Sequence, residues 1–217
     1  MAASVIYSWP ALYEAVMLLL YGRHYSARYR ILADLIPAGS SVLDLCCGPA
    51  VLYHRYLRHK DVRYTGLDVS NRFIDRLRQR GAAAEVWDVG SAAALPTADY
   101  VVMQASLYQF LPDPSPVLHR MLQAARVQVI IAEPIRNLAD SEVPLVSALA
   151  RRFTDPGNGP SARRFTEQSL IRFFQPYLPR CVRTFLIPGG RERIYVLHGS
   201  APTHERPSQQ EASDVRR

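Results

Sequence analysis

One short run constrains the fold of this chain most strongly, Val42-Leu43-Asp44-Leu45-Cys46-Cys47-Gly48-Pro49-Ala50. An apolar strand leads directly into small residues and then into the first turn of a helix. Small residues let the backbone approach a ligand closely, and the free N–H groups at a helix N-terminus attract an anionic group. The run therefore predicts an α/β domain with a ligand site at the end of its first strand.

Strands and helices alternate through most of the sequence. This alternation indicates a parallel sheet covered by helices, whereas Pro188-Gly189-Gly190 between the last two strands indicates an antiparallel hairpin. The predicted strands are Ser41–Leu45, Val62–Leu67, Glu85–Trp87, Tyr100–Met103, Val127–Ala132, Val182–Ile187 and Arg193–Leu197, and the predicted helices are Val51–Arg58, Asn71–Arg80, Pro116–Ala125, Val143–Phe153 and Glu167–Phe174.

The length of 217 residues is that of one domain. We expect an aromatic-rich helical segment at residues 1–37, the α/β domain at 38–199 and a disordered tail at 200–217. Ala15–Leu20 is the longest apolar stretch near the N-terminus and is too short to span a bilayer. Three cysteines do not make a disulfide framework, so we expect free thiols, a cytoplasmic protein and no metal site.

Two further acids follow the next two predicted strands. Asp68 stands twenty residues after Gly48, where a carboxylate accepts hydrogen bonds from both hydroxyls of a ribose. Asp88 ends the third strand within reach of an adenine amino group, and Val89 would pack against the ring. Ligands of open α/β sheets bind at the carboxyl ends of the strands, so these residues and Asp44 predict a single site.

At these residues the sequence resembles the class I S-adenosylmethionine-dependent methyltransferases of the small-molecule type. The resemblance extends over roughly residues 38–198 and includes Asp44, Gly48, Ala50, Asp68, Asp88 and the segment 98–110. It implies a Rossmann-like methyltransferase fold, with a mostly parallel seven-stranded sheet of order 3-2-1-4-5-7-6, a C-terminal antiparallel hairpin and an N-terminal helical cap. Cys46 and Ala50 depart from the family, which usually has glycine there.

The resemblance implies S-adenosylmethionine as methyl donor and S-adenosylhomocysteine as product. Asp44 and the loop from Cys46 to Ala50 would hold the methionine portion, and Arg28 of the cap would either clamp its carboxylate or remain solvated. The implied cofactor residues are Tyr25, Arg28, Asp44, Cys46, Cys47, Gly48, Ala50, Asp68, Val69, Asp88, Val89, Gln104 and Ala105.

A dinucleotide-binding dehydrogenase is the nearest alternative. Its G-x-G-x-x-G turn would coincide with Cys46, Gly48 and Val51, and a valine at the third position would crowd the helix against the strand. A ligand-free α/β domain explains the first strand but not three acids that end or flank successive strands.

Several acceptor classes lack the residues that their chemistry requires. Methylation of amino groups in DNA bases usually shows Asp/Asn-Pro-Pro-Tyr where this chain has Gln104-Ala105-Ser106-Leu107. Cytosine-carbon methylation needs a nucleophilic cysteine, and no cysteine lies on the fourth strand. Ribose methylation of the Lys-Asp-Lys-Glu type needs two lysines, and Lys60 is the only one here. A small-molecule or lipid-like acceptor remains, methylated on O, N or C.

Three side chains are candidate catalytic groups. Tyr108 follows the fourth strand and would orient the acceptor, act as a base or merely pack. His24 is a candidate base or a structural histidine. Glu133 lies at the carboxyl edge of the fifth strand, where ligands of open α/β sheets bind, and facing the acceptor is one of two equal alternatives for its side chain. The candidate acceptor-binding residues are Tyr13, Tyr108, Arg163 and Arg164.

The formal net charge of +7 is unevenly distributed. Residues 151–199 carry nine arginines against three acids, which indicates a local anion-facing edge more than a nucleic-acid-coated surface. We therefore predict a methyltransferase for a small, anionic or lipid-like acceptor, acting as a monomer or homodimer. An RNA methyltransferase and a non-catalytic S-adenosylmethionine-binding protein remain the alternatives.

Overall fold

Seven strands form one sheet in the computed structural model, which describes residues 22–135 and 164–200. The order across the sheet is β3-β2-β1-β4-β5-β7-β6, as predicted. The strands are β1 (Ser41–Leu45), β2 (Arg63–Asp68), β3 (Ala83–Val86), β4 (Ala98–Gln104), β5 (Ala125–Pro134), β6 (Cys181–Leu186) and β7 (Glu192–His198).

Strands β1 to β5 are parallel, whereas β7 runs antiparallel to β5 and pairs with β6 in the predicted hairpin. The predicted strand Glu85–Trp87 is displaced in the structure. The chain turns at Gly81, where φ is +81°, and pairing with β2 begins at Ala83. Asp88 therefore lies two residues beyond β3 rather than at its end.

Helices pack on both faces of the sheet. They are α1 (Tyr25–Asp34), α2 (Asn71–Gln79), α3 (Ser115–Ala124) and α4 (Glu167–Phe174), with 3-10 turns at Gly22–His24, Leu107–Phe110 and Gln175–Arg180. The predicted helix Val51–Arg58 contains a π-helical stretch at Tyr53–Leu57, defined here as the π-turn.

Two apolar clusters fill the space between the sheet and these helices. Successive residues of β1 alternate between them, since Val42 belongs to the cluster under α1 and α2 and Leu43 to the cluster under α3 and α4. Ser70 caps α2 by accepting the Phe73 N–H, and Thr166 caps α4 by accepting the Ser169 N–H at 3.1 Å.

Part of the predicted organisation lies outside the described residues. This holds for Tyr13, Arg163, the helix Val143–Phe153, most of the segment 1–37 and nearly all of the tail. Within residues 22–135 and 164–200, no helix is long and apolar enough to cross a bilayer. The same two ranges contain no group of His, Cys, Asp and Glu suited to a metal ion.

Candidate functional site

A cavity of about 340 Å³ opens where β1, β2 and β4 end, a size within the range of small-molecule sites. Its walls come from the loops that follow these strands, from the loop after β3 and from α1. All but Tyr25 and Ala50 of the predicted cofactor residues line it, namely Arg28, Asp44, Cys46, Cys47, Gly48, Asp68, Val69, Asp88, Val89, Gln104 and Ala105.

The loop after β1 holds three alternate residues in the left-handed region of backbone conformation. Cys46, Gly48 and Ala50 have φ of 55°, 52° and 51°. Left-handed backbone is strained for residues other than glycine, and such strain often occurs where a ligand binds. The loop thus has a backbone conformation that favours glycine at three positions, although two of the three residues carry a Cβ.

Asp68 joins this loop to the end of β2. Its Oδ2 accepts the Gly48 N–H at 2.9 Å, and its Oδ1 accepts the Ser70 N–H at 2.9 Å. Burial raises the pKa of the carboxyl group, and these two N–H donors oppose that shift. Each oxygen keeps a second lone pair, so Asp68 can accept two further hydrogen bonds from a ligand.

The loop after β3 forms another wall. Asp88 Oδ1 accepts the Gly90 N–H at 2.8 Å, and the buried Val89 and the partly buried Phe110 present apolar surface. Arg120 of α3 donates from Nη2 to the Val89 carbonyl at 2.6 Å. Arg120 was not predicted, because nothing local marks an arginine whose partner lies 31 residues away.

Two polar groups face the end of the cavity between β1 and β4. Burial raises the pKa of Asp44 to about 7, although the Tyr64 hydroxyl donates to its Oδ2 at 2.7 Å. The Gln104 amide nitrogen is buried and has no hydrogen-bond partner within the described part of the chain. A buried donor of this kind favours a ligand oxygen beside it, since leaving it unpaired costs free energy.

Arg28 is 1% exposed, so the hypothesis of a solvated Arg28 is wrong. It lines the cavity and contacts Glu192 Oε1 through Nη2 at 2.6 Å. Glu192, at the start of β7, is fully buried and was not predicted, because its partner lies at the other end of the chain. The ion pair joins α1 to the C-terminal hairpin beside the cavity.

The three candidate catalytic side chains lie outside the cavity wall formed by the described residues. Glu133 is fully buried, and its two oxygens accept the N–H groups of Leu107 at 3.0 Å and Tyr108 at 3.3 Å. Burial raises the pKa of Glu133 to about 8. This geometry corrects the hypothesis that Glu133 faces an acceptor, because the carboxyl group instead anchors the 3-10 turn after β4.

Tyr108 is also buried, and the Arg164 guanidinium lies 4.1 Å from the centre of its ring. Burial raises the pKa of the Tyr108 hydroxyl, which makes it a poor base at neutral pH. His24 lies beside the turn at Gly189. Tyr25 packs edge-on against Tyr29 in the core, and it is Tyr29 that lines the cavity.

A family model described as "Methionine biosynthesis protein MetW" matches residues 26–140, which include almost all of the cavity wall. No curated protein matches the chain.

Solved structures are similar over most of the chain. A putative methyltransferase in complex with the Haloferax volcanii Trm112 methyltransferase activator has 14% identity and a TM-score of 0.64, with 93% of this chain and 100% of that chain covered. The [4+2]-cyclase SpnF has 14% identity and a TM-score of 0.59, with 83% of each chain covered. The magnesium protoporphyrin IX methyltransferase of Synechocystis with bound SAH has 15% identity and a TM-score of 0.58, with 86% and 94% covered. At these identities the similarity shows the fold alone, which is that of the class I S-adenosylmethionine-dependent methyltransferases.

Proposed function

The chain belongs to the MetW family of methionine biosynthesis proteins, and we propose that it binds S-adenosylmethionine in the cavity and transfers the methyl group to a small-molecule acceptor. One observation carries the proposal. The strained loop after β1, the Asp68 carboxylate and the loop at Val89 converge on one cavity in the fold of methyltransferases.

The residues present fit this cofactor. Asp68 has the free lone pairs to accept both ribose hydroxyls, and Val89 offers an apolar wall to adenine. A Cβ at Gly48 would meet nothing within 4 Å, so there is open space where the loop approaches a ligand. The buried Gln104 amide nitrogen would donate to the methionine portion, and Arg28 would bind its carboxylate.

The bound cofactor supplies an electrophilic methyl group on a sulfonium. The chain contributes position and the exclusion of water, which supply much of the rate of such a displacement. Glu133 fixes the turn from which Gln109 and Phe110 reach the cavity, and Asp44 and Gln104 both add polar groups to the cavity wall.

An anionic or lipid-like acceptor agrees with the arginines of residues 151–199. Among the described arginines of this segment, Arg164 stacks on the ring of Tyr108, which belongs to the turn that supplies Gln109 and Phe110 to the cavity wall. Exchange of Arg164 for Gln should raise the KM for such an acceptor and leave cofactor affinity unchanged. An unchanged KM would remove Arg164 from the acceptor site.

A direct test has two parts, each on the full chain. Calorimetry should show one S-adenosylmethionine or S-adenosylhomocysteine bound per chain. Incubation of the protein with methyl-labelled S-adenosylmethionine and a set of small carboxylates, phosphates and lipids should then yield a labelled acceptor. Failure to bind the cofactor would overturn the whole proposal.

Binding without turnover would instead support a second candidate, a non-catalytic S-adenosylmethionine-binding protein of methionine biosynthesis. Two observations favour this second candidate. His24, Tyr108 and Glu133 lie outside the cavity wall in the described ranges, and the description of the family gives a biosynthetic role rather than a reaction. An RNA methyltransferase, by contrast, would show a steep dependence of RNA affinity on salt concentration.

A further inference from the structure

The charges of residues 41–100 balance closely in the sequence, with eight basic residues and seven acids. The structure separates four of the seven acids from most of the basic residues, whereas Asp61 and Asp75 stay beside them. Asp44, Asp68 and Asp88 line the cofactor cavity, and Asp99 accepts hydrogen bonds from Ser41 and Arg126 at the opposite end of β4. The arginines of the same segment lie mainly on and after the π-turn and α2, so that face of the molecule is more basic than the sequence indicates.

Four residues on this face form a second pocket, of about 490 Å³, which we call the basic pocket. Tyr53 and His54 come from the π-turn, Arg58 follows it, and Arg80 follows α2. Both arginines are exposed and both other side chains are half-buried. None of the four belongs to the wall of the cofactor cavity as the described residues form it.

Within residues 22–135 and 164–200, the guanidinium groups of the basic pocket lack the partners that Arg63 and Arg78 have. Arg78 bonds the Ala84 carbonyl at 2.9 Å, and Arg63 bonds the Gly39 carbonyl at 3.0 Å. In the described ranges, Arg58 and Arg80 make no side-chain hydrogen bond or ion pair.

Their charges act together on the imidazole between them. Burial, followed by the nearby guanidinium groups of Arg80 and Arg58, lowers the pKa of His54. Positive charge that is concentrated in a concave surface without a carboxylate attracts an oxyanion.

We propose that the basic pocket binds the phosphate group of a small molecule, or free phosphate. Two guanidinium forks match the geometry of phosphate oxygens, and His54 adds a ring N–H donor. The pocket is a single concavity with two arginines, which suits one phosphate group rather than the row of phosphates of a nucleic acid. This site goes beyond the proposed methyl transfer, because none of its four lining residues lines the cofactor cavity as the described residues form it.

The test is a titration of the full chain with inorganic phosphate, with ionic strength held constant by sodium chloride. The NMR signal of the His54 imidazole, identified by its loss in His54→Gln, should shift in a saturable way. The double variant Arg58→Gln/Arg80→Gln should bind phosphate at least about tenfold more weakly, because both charge-assisted contacts are lost. The control Arg172→Gln/Arg183→Gln, which removes the same charge from exposed positions on α4 and β6, should behave as the wild type.

A linear shift without saturation, or equal weakening in the control, would overturn the proposal. So would tight binding of a single-stranded RNA that the Arg58→Gln/Arg80→Gln variant abolishes and phosphate fails to displace, since the pocket would then belong to a nucleic-acid surface. The Arg58→Gln/Arg80→Gln variant should bind S-adenosylhomocysteine as tightly as the wild type does. That result would show that the variant is folded and that its loss of phosphate binding is not a failure of the proposed cofactor site.

Discussion

Exchange of Asp68 for Ala tests the proposed cofactor site at its most connected side chain. Asp68 is 9% exposed, and each of its oxygens holds one backbone N–H and retains capacity for one ribose hydroxyl. A hydrogen bond to a charged group contributes about 1.5–3 kcal/mol, so the loss of two costs at least about 3 kcal/mol. We therefore expect affinity for S-adenosylhomocysteine to fall by about a hundredfold or more.

The assay is isothermal titration calorimetry of the full chain, at a pH high enough to ionise Asp68, because burial raises its pKa. Asp75→Ala serves as the matched control, since Asp75 is an exposed acid on α2 whose contact with Arg78 is long, at 3.9 Å. The control should bind as the wild type does. The assignment would be refuted if folded Asp68→Ala bound S-adenosylhomocysteine with an affinity within about threefold of that of the wild type. Such a change is smaller than the loss of one hydrogen bond to a charged group.

Three further predictions concern stability, positioning and pH. Gly48→Ala should lower the free energy of unfolding in urea by about 1 kcal/mol, because φ is +52° and the new Cβ meets nothing within 4 Å; an unchanged midpoint would contradict the left-handed loop. Arg120→Ala should weaken S-adenosylhomocysteine binding severalfold by releasing the Val89 carbonyl, whereas Arg126→Ala, at the start of β5, should not; equal effects of the two would exclude a positioning role. Burial raises the pKa of Glu133 from 4.5 to about 8, so folded Glu133 keeps its proton to higher pH than the unfolded chain does, and its contribution to stability declines as the pH rises through that window. The wild type should therefore lose melting temperature relative to Glu133→Gln as the pH rises from 4.5 to about 8. A difference in melting temperature that stays constant over this range would show that Glu133 does not titrate there.

The alternation of strands and helices predicted a mostly parallel sheet, whereas the order of its strands and most residues of the cavity wall were implied by the resemblance to methyltransferases. Ser41–Leu45 is a short apolar run between turn signals, and it forms β1 with the same bounds. The carboxyl ends of parallel strands lie at one edge, so Asp44, Asp68 and Gln104, at or near the ends of β1, β2 and β4, line one cavity.

Contacts between distant elements were beyond such patterns. Arg28 is buried by a partner on β7, and Arg120 is held by a carbonyl on the loop after β3. Glu133 stands at the predicted edge of the sheet, yet its carboxyl group is taken up by the backbone of the turn after β4. The sequence predicts the face of the sheet on which a residue lies. The hydrogen-bond or ion-pair partner of its side chain depends on the tertiary packing.

The most direct test of the proposed cofactor site is a crystal structure of the full chain grown with saturating S-adenosylhomocysteine. We expect the ligand in the cavity at the carboxyl ends of β1, β2 and β4, with its ribose hydroxyls within hydrogen-bond distance of the Asp68 carboxylate and its adenine against Val89. A ligand bound elsewhere, or a ribose directed away from Asp68, would contradict this expectation.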